Sequence, residues 1–96
     1  MNNARYQQIR IFQTIASEGS ITAAAHKLEL TAPSVSKALK SLEQHIGLPL
    51  FSRNTRCIEL TEAGRRLLAR SSDAVQALQD AIESVRDENT APAGLV

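Results

Sequence analysis

Ninety-six residues fit one domain with at most one extended element attached. Three aromatic side chains, Tyr6, Phe12 and Phe51, leave the core to aliphatic residues, and a lone Cys57 excludes an internal disulfide. No apolar run is long enough to span a bilayer and the N-terminus has no signal-peptide h-region, so the expectation is a soluble, cytoplasmic protein without a membrane partner.

The net charge of +1 hides an asymmetry. Residues 1–70 carry ten Lys and Arg against five acids, a net +5, whereas residues 71–96 carry Arg86 against five acids, a net −4. A basic front points to a polyanionic partner, although charge alone fits a mixed solvated surface equally well.

In chain order, residues 4–18 form a first helix with Tyr6, Ile9, Phe12, Ile15 and Ala16 on one face, ended by Gly19. Residues 20–39 are the most informative stretch. A short helix places Ile21, Ala24, Ala25 and Leu28 three and four apart. Only Glu29 and Leu30 separate it from a third helix that begins at Thr31 and keeps Val35, Leu39, Leu42 and Ile46 to one side. Ser20 and Thr31 are N-cap residues whose hydroxyls can accept backbone N–H groups, from Thr22 or Ala23 in the case of Ser20. Pro33 falls in the first turn, where a missing N–H costs nothing. Two short helices, a tight turn and small residues at the crossing make a helix-turn-helix. An ordinary helical hairpin without a ligand is the plainer alternative.

Gly47 stops the third helix and Pro49 prevents its resumption. Residues 50–60 then read as a β-hairpin, with arms at 50–53 and 57–60 and a tip of Asn54, Thr55 and Arg56. Thr61 caps a long helix with Glu62 in its first turn, where the helix dipole favours an acid. Along it Leu67, Ser71, Ala74, Leu78, Ala81 and Val85 follow steps of four and three, a heptad seam with one polar position. Leu68, Val75 and Ile82 widen the stripe. A body of about 60 residues cannot cover so long a face, so a second copy is the expected partner, through Leu67, Ala74, Leu78, Ala81 and Val85. The alternative is a helix folded back on its own domain.

The expected fold is mostly α. A winged helix-turn-helix, with a three-helix core and a small hairpin wing, occupies residues 1–61. The long dimerisation helix occupies residues 62–88, and residues 89–96, with Pro92 and Gly94, form a linker. The expected DNA-facing residues are ranked by chemistry. Thr31, Ser34 and Ser36 offer short hydroxyls to phosphates or base edges, and Ala32 and Pro33 offer apolar contact to thymine methyls. Lys37 and Lys40 lie off the apolar stripe, Lys37 suited to guanine and Lys40 to a phosphate. Arg53 and Arg56 suit backbone or minor-groove contact by the wing, with a structural ion pair as the alternative for Arg53. Thr22 and Lys27 are weaker phosphate candidates. No cofactor, metal or catalytic group is expected, because His26, His45 and Cys57 are widely separated and lack metal-ligand spacing. The competing function is a non-enzymatic dimerisation or adaptor module on the same winged-helix fold, against which the basic front argues.

These residues together resemble the DNA-binding region of the LysR-type transcriptional regulators. The matching features are Ile9 and Phe12, Gly19-Ser20, Ala24-Ala25 with Leu28, Thr31-Ala32-Pro33-Ser34-Val35-Ser36, Leu42-Glu43, Ile46-Gly47, Pro49-Leu50-Phe51 with Arg53, and Leu60-Thr61 with Ala63-Gly64. The resemblance runs from residue 5 to about 90. It implies a winged helix-turn-helix on double-stranded DNA and a linker helix that makes a homodimer, with a tetramer as a further possibility for the full-length protein. It also implies a C-terminal domain, absent from residues 1–96, that binds a small-molecule effector; residues 93–96 look like its entry. One departure stands out. Many members have Gln where this chain has Ala32, and Ala cannot make the bidentate adenine contact that Gln can.

Overall fold

A computed structural model describes residues 3–53 and 58–90, the side chains at 53 and 88–90 excepted. The elements run α1 (Asn3–Glu18), α2 (Ile21–Leu28), α3 (Ala32–Ile46), β1 (Phe51–Arg53), β2 (Ile58–Leu60) and α4 (Glu62–Thr90). This is the expected winged helix: three helices, an antiparallel two-stranded hairpin and one long helix.

Local chemistry sets the boundaries. Gly19, at φ +82°, ends α1 and donates its N–H to the Ile15 carbonyl at 2.8 Å. Ser20 is extended and its hydroxyl accepts the Ala23 N–H at 2.9 Å, the second of its two expected donors. Thr31 accepts the Ser34 N–H at 3.2 Å and opens α3. Gly47, at φ +87°, closes it. The end of α2 is the unexpected one. Glu29 takes the left-handed conformation at φ 59°, and Leu30 donates its N–H back to Ala25 at 2.9 Å. A Schellman-type end is thereby built on a residue with a Cβ, where glycine is the usual occupant.

α1, α2 and α3 enclose one core. Phe12 and Ile15 come from α1, Ala24 and Ala25 from α2, Val35, Leu39 and Leu42 from α3, and Leu50 and Phe51 from the approach to the hairpin. The Phe12 and Phe51 rings meet with centroids 5.4 Å apart and planes tilted by 50°. Ile46 departs from the expected buried stripe. It is 38% exposed and borders an open groove toward α4 that Leu48, Leu67 and Arg66 also line. The helical period is kept, but no described element fills that groove.

The hairpin pairs Phe51 with Leu60, Ser52 with Glu59 and Arg53 with Ile58. The expected tip and Cys57 lie outside the described residues. Leu50 is the fastening point between the hairpin, α3 and α4. Its N–H donates to the Glu43 carboxylate at 2.8 Å, and its carbonyl accepts the Thr61 N–H at 3.0 Å. The Thr61 hydroxyl donates to Pro49 at 2.7 Å and accepts the Gly64 N–H at 3.0 Å. Gly64 lies so close that a Cβ there would collide with the Leu50 carbonyl oxygen. The first turn of α4 is thus held to the turn that leaves α3.

The stripe of α4 is divided in two. Ala63, Leu67 and Leu68 pack against the chain's own core, and Ser71 is buried against α1. Farther along, Ala74, Leu78, Ala81, Ile82 and Val85 are exposed and Val75 is half-buried. The helix is not folded back on its domain, and Thr90 extends it two residues past the expected end at 88.

Candidate nucleic-acid interface

The outward face of α3 follows from where the helix is anchored. With Val35, Leu39 and Leu42 turned into the core, a rotation of roughly 100° per residue puts Pro33, Lys37, Lys40 and Gln44 on one line along the opposite side. All four are exposed. Neither Lys37 nor Lys40 makes an ion pair among the described residues, in contrast to Lys27, which reaches Glu18 at 3.3 Å. Two unpaired ammonium groups on a rigid helix suit phosphates and guanine edges. Gln44 was not among the sequence candidates. The same spacing that selects Lys37 and Lys40 would have found it, and its amide can address adenine.

The N-terminus of α3 adds a second set. Thr31, Pro33 and Ser34 are exposed, whereas Ala32 and Ser36 are half-buried, Ala32 against the core. Thr31 uses an oxygen lone pair as the cap and keeps its hydroxyl proton for an outside acceptor. The Ala32 N–H lies in the first turn, where helices bind anions. Ala32 therefore has less apolar surface to offer a thymine methyl than Pro33 does. The orientation of α3 is stiffened from behind. Arg5 donates to Gln8 at 2.8 Å, and Gln8 donates to the Ser41 hydroxyl at 3.2 Å.

The wing enters only as backbone. Arg53 ends β1 opposite Ile58, its side chain lying outside the described residues, as does the whole of Arg56. Thr22 is exposed near the start of α2. His26 and His45 are exposed on different helices, and among the described residues no group of three metal-ligating side chains converges. No helix among them is long and apolar enough to cross a membrane.

Of the expected pairing residues on α4, Ala74, Leu78, Ala81 and Val85 form an exposed apolar face, whereas Leu67 is half-buried against the chain's own core. Leu78 is 52% exposed and Val85 65%. Toward its base this face continues into a groove between α1 and α4 lined by Tyr6, Ile9, Leu67, Ala74 and Val75, with Arg70 on the rim. The helix is polarised along its length. At its start Arg65, Arg66 and Arg70 outnumber Glu62, and beyond them Asp73, Asp80, Glu83, Asp87 and Glu88 outnumber Arg86.

Comparison with known proteins places this geometry. The family model described as "Bacterial regulatory helix-turn-helix protein, lysR family" matches residues 6–65. The transcriptional activator CmpR of Synechocystis sp. is 41% identical over 87 residues, covering 91% of this chain and 29% of the relative. A probable RuBisCO transcriptional regulator of Cyanidioschyzon merolae is 42% identical over 80 residues, covering 76% of this chain and 26% of the relative. The chain thus spans under a third of the length of these curated relatives, which are named as regulators and not as enzymes. Among solved structures, the DNA-binding domain of CbnR in complex with DNA superposes with a TM-score of 0.78 at 28% identity, covering 90% of this chain and 95% of that one. Hydrogen-peroxide-bound OxyR of Corynebacterium glutamicum gives 0.76 at 34% identity, covering 93% of this chain and 28% of that one. The matched region runs from α1 through α3 and the hairpin into the first turn of α4, and the chain belongs to the lysR family of bacterial regulatory helix-turn-helix proteins.

Proposed function

We propose that residues 1–96 are the DNA-reading and pairing region of a homodimeric, sequence-specific LysR-type transcription regulator. α3 enters the major groove. Lys37 reads a guanine edge, Pro33 and the exposed part of Ala32 meet thymine methyls, and Gln44 adds an amide contact. Lys40, Thr31, Ser34, Ser36 and the N-terminus of α3 hold phosphates, and Arg53 and Arg56 do the same from the wing. The observation that carries this reading is the exposed line of Pro33, Lys37 and Lys40, opposite the buried face of α3 and without an ion pair among the described residues.

Two copies joined through Ala74, Leu78, Ala81 and Val85, with the half-buried Leu67 at the base of the face, read an inverted repeat. The uncovered apolar face of α4 supports this, and so does its polarity. Antiparallel pairing would set Arg65, Arg66 and Arg70 of one copy near the acidic distal half of the other. Residues 89–96 lead on to a further, C-terminal domain through which a small-molecule effector acts, and the whole regulator works in the cytoplasm as a dimer or tetramer.

A gel shift with duplexes selected from random DNA, run at several salt concentrations, tests the reading. The expected log–log slope is about −0.9 per phosphate neutralised, and shallower for Arg56→Ala. Salt-independent retention, or no selected consensus, would leave the adaptor module as the better account.

A further inference from the structure

Ser71 is the one polar side chain buried among the described residues, at 8% exposed. It interrupts the apolar seam of α4 at the level where the helix leaves its own domain. Its hydroxyl accepts the Gln13 amide N–H at 3.0 Å and donates to the Leu68 carbonyl at 3.4 Å. Gln13 belongs to α1, so the bond joins residues 58 apart across the joint between the DNA-binding body and the pairing helix. An apolar residue would suit the seam better, since a buried hydroxyl is tolerated only when its hydrogen bonds are made.

The neighbouring contacts of Leu67 and Leu68 set how closely α4 lies on the body. The hydrogen bonds of Thr61 fix where α4 starts, but one anchored end and burial without direction leave the angle of the helix to be set farther along. A hydrogen bond specifies both distance and direction. Position matters here because the helix is a lever. From Ser71 to Thr90 it extends about 28 Å, so a change of about 10° at the joint moves the far end by about 5 Å.

We infer that Gln13 and Ser71 form a positioning pair that sets the angle between the DNA-binding body and α4, and through it the half-site separation a dimer accepts. The inference rests on the dimeric reading above. A polar position within an apolar seam that fixes geometry rather than adding stability is the best-attested use of such residues.

The test uses the 96-residue chain with Ser71→Ala, Gln13→Leu and the double variant. Duplexes carry the selected inverted repeat with the spacing changed in single base-pair steps over one turn of about 10 base pairs, beside a duplex with one half-site. The parent is expected to show one preferred spacing. In each variant the penalty for a one-base-pair displacement should shrink by about threefold or more, the scale of one net hydrogen bond. Half-site affinity should not change, and the double variant should be no broader than either single one. Variants that keep the parent's spacing profile would overturn the inference. So would variants that lose half-site affinity in step with helix content by circular dichroism, which would make the pair merely structural. A parent that binds the repeat no better than one half-site would sink the dimeric reading itself, and the inference with it.

Discussion

α3 and α4 are amphipathic helices of the same chain, and their apolar faces meet opposite fates. In α3 the three residues Val35, Leu39 and Leu42 are buried in the core with α1, α2, Leu50 and Phe51, so apart from Ile46 at its end the helix presents a mainly polar face. In α4 the face is enclosed for its first turns and then runs past the body, leaving Leu78, Ile82 and Val85 in solvent. One helix is fixed so that its charges project. The other is fixed at its base so that its apolar side chains project. What an amphipathic helix does therefore depends on how much of its stripe the rest of the chain can cover, and a body of this size covers about three turns.

The comparison breaks most readily at α4. Leu78→Asp places a charge at the seam in each copy and removes two leucines, each contributing on the order of 1.5–3 kcal/mol when buried. The expected product is a monomer by analytical ultracentrifugation, with helix content near the parent's and weak, sequence-independent DNA binding. Continued sedimentation as a dimer would locate the pairing face elsewhere. Leu39→Ala is the counterpart in α3. It deletes a fully buried side chain at the centre of the core and is expected to cost about 2–5 kcal/mol of folding stability, read by thermal or urea unfolding. Leu78→Ala in a sample dilute enough to be monomeric should cost far less, because that side chain is half in water already. Equal losses at the two positions would contradict the contrast between the helices.

A smaller effect sharpens the polar half of the comparison. Lys37→Ala should weaken specific binding by about 1–3 kcal/mol and relax base preference at one position per half-site, with unchanged melting. Lys40→Ala should weaken binding to all sequences more evenly. An unaltered consensus and affinity for Lys37→Ala would remove its base-reading role. The smallest change concerns the turn that sets the two motif helices against each other. Glu29 holds a left-handed conformation that costs a residue with a Cβ about 1–2 kcal/mol, part of which Glu29→Gly should recover as added stability, after the greater unfolded-state freedom of glycine is set against it. A lower melting temperature for Glu29→Gly would mean that the Glu29 side chain makes a contact worth more than the strain.

Much of this architecture was legible from the sequence because the signals are local. Ser20, Thr31 and Thr61 act as caps, Gly19 and Gly47 as helix stops, and Pro33 as a first-turn residue, since each depends only on backbone groups three or four residues away. The apolar periods of α1, α2 and α3 named the helical part of the core but not Leu50 and Phe51, and Lys37 and Lys40 followed by elimination as outward residues. The left-handed Glu29 had no such signal, because the turn is imposed by the crossing of α2 and α3 and not by a preference of glutamate. Other features depended on what stands opposite a residue. The exposure of Ile46, the half-burial of Ala32, the collision that reserves position 64 for glycine and the pairing of Ser71 with Gln13 all involve residues far apart in the chain. A helical period says which side chains share a face, but the packing of other elements decides which part of that face is covered. The seam of α4 shows the limit. Its spacing is continuous from Leu67 to Val85 in the sequence, and only the tertiary structure divides it, at Ser71, into a base bound to its own domain and an arm left uncovered.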